Sequence, residues 1–66
     1  MTKIWKSRDE YTVLVGRKAF IYKLAGDLLY SISDNEINIE WMDKHCEVVA
    51  DKDLPESIRK AVGGTI

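Results

Sequence analysis

Apolar and polar positions alternate along most of this chain and divide it into short segments. The clearest alternation lies in residues 37–42, where Ile37, Ile39 and Trp41 fall on one side and polar residues lie between them. Alternation with a period of two, in β-branched and aromatic residues, is typical of a half-buried strand. Four other segments read in the same way. The five predicted strands are residues 11–15, 18–24, 28–33, 37–42 and 46–50.

Glycines and short polar runs separate these segments. Gly16-Arg17 predicts a tight turn, and Gly26 is suited to a second turn that requires a positive φ. Turns this short place successive strands side by side, so an antiparallel meander is expected. Residues 17–25 also carry apolar side chains four apart, as a helix would. Their β-branched and aromatic content and Gly26 favour the strand.

A short helix is predicted for residues 54–62. Asp53 is placed to cap it and Glu56, three residues on, to complete a capping box, while Gly63 is placed to end it. The predicted apolar stripe consists of Leu54, Ile58, Ala61 and Val62. A helix of this length is not stable alone, so its stripe is expected to cover the sheet.

The N-terminal segment, residues 1–10, is ambiguous. Ile4 and Trp5 stand among charged residues, in either a short edge strand or a loosely ordered arm. An exposed tryptophan is costly, so Trp5 either completes the core or contacts a partner, and the core is favoured.

The length limits the fold to a single small domain, residues 1–66. The expected class is mainly β (α+β): a five-stranded antiparallel meander, or a small SH3-like or OB-like barrel, with one short C-terminal helix. The lone Cys46 excludes an internal disulfide. A domain this small, without disulfides or a structural metal, is expected to be stabilised by dimerisation or by a bound partner. Neither a signal peptide nor an apolar run of about 18 residues is present, which predicts a cytoplasmic protein.

Charge is unevenly distributed, although the formal net charge is only −1 at pH 7. Basic residues outnumber acidic ones in residues 1–23, and carboxylates dominate residues 24–58. This asymmetry indicates either a basic binding face or opposite charges that become neighbours on folding. The second interpretation is favoured, because net charge alone says little about partners.

Candidate chemistry is sparse. His45 and Cys46 form the only nucleophile–base pair, and neighbours on a strand point to opposite faces, which works against a catalytic dyad. They also lack the ligand spacing of a zinc site. The carboxylates Glu36, Glu40, Asp43 and Glu47 predict a solvated acidic face, which can still recognise a basic partner. We therefore expect a non-enzymatic protein without catalytic residues, metal or cofactor.

Two functions remain after this exclusion. The favoured one is a protein-interaction module, acting as an adaptor, subunit or inhibitor of a larger protein; a bacterial or phage regulator would suit the size. Its surface would be an exposed strand edge with an aromatic residue, Trp5 first. The alternative is a small nucleic-acid-binding barrel that uses the basic N-terminal third. The candidate partner-binding residues are Trp5, Arg8, Arg17, Lys18 and Lys23.

Overall fold

A computed structural model describes residues 2–65 and shows an antiparallel sheet with a helix on each face. The strands are β1 (Thr2–Ser7), β2 (Glu10–Val15), β3 (Lys18–Lys23), β4 (Leu28–Ser33) and β5 (Glu47–Val49). The helices are α1 (Ile39–His45) and α2 (Glu56–Thr65), with 3₁₀ turns at Asp34–Glu36 and Asp51–Asp53. The strand order is β4-β3-β2-β1-β5, which leaves β4 and β5 at opposite edges.

The predicted meander is confirmed for three of its five strands, residues 11–15, 18–24 and 28–33, and wrong for the other two. β1 to β4 follow one another across the sheet, but β5 pairs with β1, from Ile4 opposite Val49 to Lys6 opposite Glu47. The chain leaves β4, crosses one face of the sheet through α1, and returns at the far edge. The sheet is therefore open, and the barrel alternative is not what forms. β1, which was left open as an edge strand or an arm, lies between β2 and β5.

Residues 37–42 do not form the strand that their alternation predicts. Asn38 caps α1 instead, with its Oδ1 accepting a hydrogen bond from the Trp41 backbone N–H at 3.1 Å. Met42 and Cys46, four residues apart, then face the sheet together. Glu40 in the first turn and Lys44 in the last suit the helix dipole. The Asn38 cap and the packing of Met42 and Cys46 on the sheet stabilise a helix here, although the alternation of apolar residues predicts a strand.

The other strand predictions are confirmed to within a few residues. Strands occupy residues 10–15, 18–23 and 28–33, where 11–15, 18–24 and 28–33 were expected. Residues 18–23 form a strand and not a helix. The last predicted strand, residues 46–50, is shorter and spans Glu47–Val49.

Apolar side chains form one cluster on each face of the sheet. The first cluster packs Ile4 and Val13 against Ile58 of α2, with Tyr11 and Tyr22 beside them. The second cluster contains Trp5, Leu14 and Ala19, against which Ile32, Ile37, Met42 and Cys46 pack. Neighbours on a strand point to opposite faces, so Ile4 and Trp5 serve different clusters. β1 is thus buried on both faces, as suits an interior strand between β2 and β5.

Helix α2 covers the first cluster with the predicted stripe, but its ends differ from the prediction. It begins at Glu56, where the Pro55 carbonyl accepts the first helical hydrogen bond from the Arg59 N–H at 2.9 Å. Asp53 therefore does not cap it and belongs to the preceding 3₁₀ turn. Gly63 does not end it either, because the helix continues to Thr65. The Ser57 hydroxyl donates to the Leu24 carbonyl at 2.8 Å, which fixes α2 to the β3–β4 turn.

Candidate interaction surface

Trp5, the first predicted binding residue, lies in the core. Its side chain is fully buried in the second cluster. Its indole Nε1–H donates to Asp43 Oδ1 of α1 at 3.0 Å, and Lys3 Nζ approaches the same oxygen at 2.9 Å. Trp5 thus completes the core, as favoured from the sequence, and is not accessible to a partner.

The Asp43 carboxylate joins α1 to β1. The hydrogen bond from Lys3, followed by that from Trp5, holds the pKa of Asp43 below its usual range. A carboxyl whose pKa is lower in the folded state stabilises that state above its unfolded pKa, and this stabilisation is lost as pH falls through the folded pKa.

The free energy of unfolding is therefore expected to fall as the pH drops below about 4, the ordinary value for aspartate. In Asp43→Asn this loss is expected to be smaller, because the amide oxygen still accepts from Trp5 but does not titrate. Urea unfolding between about pH 6 and pH 2 measures this loss in wild type and in Asp43→Asn. Asp53→Asn, in the 3₁₀ turn, serves as the control and should retain the wild-type loss. Equal acid sensitivity in Asp43→Asn and wild type would contradict this role for Asp43.

The predicted basic residues do not form one surface. Arg17 and Lys18 lie at the β2–β3 turn, whereas Lys23 lies at the opposite end of β3. The Leu24 N–H donates to the Asp9 carbonyl at 2.9 Å, which brings the turn containing Arg8 to that second end. A six-residue strand separates the two groups by roughly 17 Å.

The aromatic residues that the nucleic-acid hypothesis interleaves with these cations are unsuited to stacking on bases. Tyr22 and Trp5 are fully buried, and Phe20 is half-buried against the first cluster. Bases stack on exposed rings. The structure therefore provides neither a single basic patch nor a ring platform in the N-terminal third.

His45 and Cys46 are directed into different environments. The His45 ring stacks on Trp41 with ring centroids 4.4 Å apart, and its Nδ1 lies 3.1 Å from the Trp41 carbonyl oxygen. Cys46 is half-buried, with its Sγ 3.9 Å from Met42 Sδ. Within residues 2–65, no three histidine, cysteine or carboxylate side chains group as metal ligands would.

An apolar groove lies between β4 and α1, and we call it the β4–α1 groove. It encloses about 330 Å³ and is lined by Thr12, Ile21, Tyr30, Ile32, Glu36, Ile37, Asn38, Trp41 and Met42. Two of its aromatic residues project into solvent: Tyr30 is 55% exposed and Trp41 is 52% exposed. Leu28 and Leu29 on the same strand and Ile39 on the same helix are also exposed. The groove is thus a concave apolar site with an exposed ring on each wall.

Strand β4 adds an open edge beside this groove. The Asp34 N–H donates to the Arg17 carbonyl at 2.8 Å, toward β3, while the Ser33 N–H points the other way and donates to Glu36 Oε2 at 3.1 Å. Because backbone groups alternate in direction along an antiparallel strand, those of Ser31 also face outward. β4 contains no charged residue and no proline, two of the features that usually protect an edge, but a register shift between Leu28 and Tyr30 interrupts its pairing with β3. Glu36 therefore closes the edge at Ser33, and the register shift interrupts it at Leu28–Tyr30.

The charged side chain on the groove wall is acidic. Glu36 lines the groove, and Glu40 lies beside it on a shallower hollow formed by residues 35–40. No lysine or arginine lines the groove in the described part of the chain. Of the four carboxylates predicted to form an acidic face, only Glu36 and Glu40 therefore lie next to the exposed aromatic residues. Asp43 pairs with Lys3, and Glu47 lies on β5 at the opposite edge of the sheet, so the four do not form one face.

Sequence reasoning identified the strand edge and two of the acidic residues beside it but missed Trp41 and Tyr30. The alternation of residues 28–33 and 37–42 places both on the apolar face of a predicted strand, which is expected to face the core. The Asn38 cap, followed by inward side chains at positions 42 and 46, was the signal that would have turned Trp41 outward. For β4, six consecutive uncharged residues mark a strand that has no charged side chain to protect its edge against pairing.

No known protein family, curated protein or solved structure shows significant similarity to this chain. The helices described within residues 2–65 include none that is long and apolar enough to cross a membrane. The groove and the strand edge are therefore the features from which a function can be inferred.

Proposed function

We propose that this protein is a non-enzymatic interaction module that binds another protein through the β4 edge and the β4–α1 groove. The observation that supports it is the pair of half-exposed aromatic side chains, Tyr30 and Trp41, on opposite walls of one apolar groove. Tryptophan and tyrosine are the residues most enriched at the energetic centres of protein interfaces. The open β4 edge beside them supplies the outward backbone groups of Ser31 to a partner.

Such a module would act as an adaptor, subunit or inhibitor of a larger protein, and a small bacterial or phage regulator would have this size. The separation of His45 from Cys46 favours binding over catalysis. The competing nucleic-acid hypothesis loses support because its basic residues lie at two ends of the sheet and its aromatic residues are in the core.

The test is an affinity capture that compares the tagged wild-type protein with the double variant Tyr30→Ser/Trp41→Ala. Both side chains are half exposed, so the variant should remain folded by circular dichroism. Wild type is expected to retain a discrete protein through nuclease treatment. The double variant is expected to lose at least about 90% of it, which corresponds to roughly a tenfold weaker affinity.

A matched control is Lys52→Ala/Lys60→Ala, which removes two exposed side chains away from the groove. This control should capture as much partner as wild type does. Recovery that disappears with nuclease, or a partner that both double variants retain equally, would contradict the proposal.

A further inference from the structure

A second apolar site lies on the opposite face of the sheet from the β4–α1 groove, between the sheet and α2. We propose that this site, which we call the α2 pocket, binds a single-chain anionic amphiphile: an unbranched acyl chain that ends in a carboxylate. The juxtaposition that carries the inference is an apolar pocket with two cationic side chains, Lys52 and Arg59, in its lining. The α2 pocket is separate from the surface that we assign to a protein partner.

Apolar side chains form the base and the walls of the α2 pocket. Ile4 of β1 and Val13 of β2 are buried at its base, and the half-buried Leu54 and Val62 lie beside them. The pocket encloses about 450 Å³. Small-molecule sites usually enclose about 300–1,000 Å³ and are lined mainly by apolar side chains. Transfer of a hydrocarbon chain from water to such a surface is favourable, so the pocket suits an acyl chain.

The backbone at the base of the pocket favours a hydrocarbon chain over a peptide. Ile4 pairs with Val13 on one side and with Val49 on the other, and Val13 also pairs with Phe20. Ile4 and Val13 therefore belong to interior strands whose backbone groups are already used within the sheet. A peptide bound there would bury N–H and C=O groups without partners, which is costly, whereas an acyl chain carries no such groups.

Arg59 is held in a fixed orientation beside the pocket. Its Nη2 group donates to the Asp51 carbonyl at 3.0 Å and to the Lys52 carbonyl at 3.4 Å, which ties α2 to the preceding 3₁₀ turn. A guanidinium carries its N–H donors in one plane, on Nε and Nη1 as well as on Nη2. The hydrogen bonds that the Arg59 side chain makes within residues 2–65 use only Nη2. A carboxylate can accept two parallel hydrogen bonds from such a planar group.

The charges beside the pocket favour an anion. Lys52 and Arg59 are exposed, and neither forms an ion pair with a carboxylate among residues 2–65. Asp51 is the acidic residue of the described lining, so two positive charges and one negative charge leave a net charge of +1. A carboxylate head beside Lys52 and Arg59 would compensate this charge while its chain lies on the apolar base.

The experiment titrates isotopically labelled protein with octanoate, octan-1-ol and butyrate, each below its micelle concentration, and follows the backbone amide shifts by NMR. We expect octanoate to shift the amides of Leu54, Arg59 and Val62 and not those of Tyr30 and Trp41. Octanoate should bind about fivefold more tightly than octan-1-ol, because the alcohol has the same chain but no charge to pair with the cations. Butyrate has the same head and a shorter chain, and it should bind at least about tenfold more weakly than octanoate.

Two variants separate the role of the cation from that of the pocket. Lys52→Gln is expected to weaken octanoate binding about threefold and to leave octan-1-ol binding unchanged. Its matched control, Lys44→Gln, removes an exposed lysine of α1, the helix on the other face of the sheet, and should change neither affinity. Val62→Phe places a larger side chain in the pocket and should weaken the binding of octanoate and of octan-1-ol at least about tenfold.

Four results would overturn the assignment of the α2 pocket. These are absence of octanoate binding, equal or tighter binding of octan-1-ol, shifts centred on Tyr30 and Trp41, and an octanoate affinity that Lys52→Gln leaves unchanged. If circular dichroism shows that Val62→Phe does not fold, the comparison of octanoate with octan-1-ol and the Lys52→Gln result decide the question without it.

Discussion

Replacing Trp5 with alanine is expected to leave a large fraction of the protein unfolded at 25 °C. The indole is fully buried, and truncating a buried tryptophan to alanine costs about 3–5 kcal/mol. A chain of 66 residues has a total stability of only about 3–10 kcal/mol. The variant also removes the donor that joins β1 to Asp43 of α1. Urea unfolding followed by circular dichroism measures the loss.

The second tryptophan is the matched control for this prediction. Trp41 is half exposed and stacks on His45, and Trp41→Ala is expected to lower the free energy of unfolding by about 1 kcal/mol, well below the loss at Trp5. If residues 37–42 were the inward-facing strand that their alternation suggests, the Trp41 variant would be the damaging one. A larger loss for Trp41→Ala than for Trp5→Ala would therefore contradict the fold described here.

Gly26→Ala is expected to destabilise the protein by at least about 2 kcal/mol, because two effects act at one position. Gly26 has φ = +98°, which L side chains rarely adopt. A Cβ there would also lie 2.7 Å from the Ser57 carbonyl oxygen, which belongs to the backbone of α2. Either the β3–β4 turn or the start of α2 must move. Urea unfolding of the variant measures the cost.

Gly16→Ala separates the two effects. Gly16 also has positive φ, +59°, but a Cβ there meets no atom within 4 Å. It should therefore show only the cost of the left-handed conformation, about 1–2 kcal/mol. Equal losses at Gly16 and Gly26 would mean that the β3–β4 turn does not contact α2 closely.

The parts of the fold that could be predicted from sequence are those where a single local signal acts. Tyr11, Val13 and Val15 alternate with no competing cap, and Gly16 and Gly26 both adopt the positive φ that a tight turn requires. Short turns then fix the order of β1 to β4. The stripe of α2 was predictable for the same reason, since Ile58 and its neighbours recur at helical spacing and are covered by the sheet.

The formation of α1, the position of β5 and the groove could not be predicted, because two local patterns compete in residues 37–46 and only tertiary packing decides between them. The alternation of Ile37, Ile39 and Trp41 favours a strand, whereas the four-residue spacing of Met42 and Cys46 favours a helix. The helix forms because Met42 and Cys46 pack against the cluster that contains Trp5. That choice also determines where β5 pairs, because α1 carries the chain to the far edge of the sheet. The candidate site follows from it in turn. If the Trp41 side chain faced the core, the groove would lose one of its two walls.

We propose that the protein works through the β4–α1 groove and not through its basic N-terminal third. The most direct test places the photoreactive residue benzoylphenylalanine at position 41 in one variant and at position 17 in another, and irradiates each in cells that produce the protein. Trp41 is on the groove wall, and Arg17 is in the exposed β2–β3 turn. We expect position 41 to yield a discrete protein crosslink and position 17 to yield none. A crosslink to protein or nucleic acid from position 17, with none from position 41, would contradict the account.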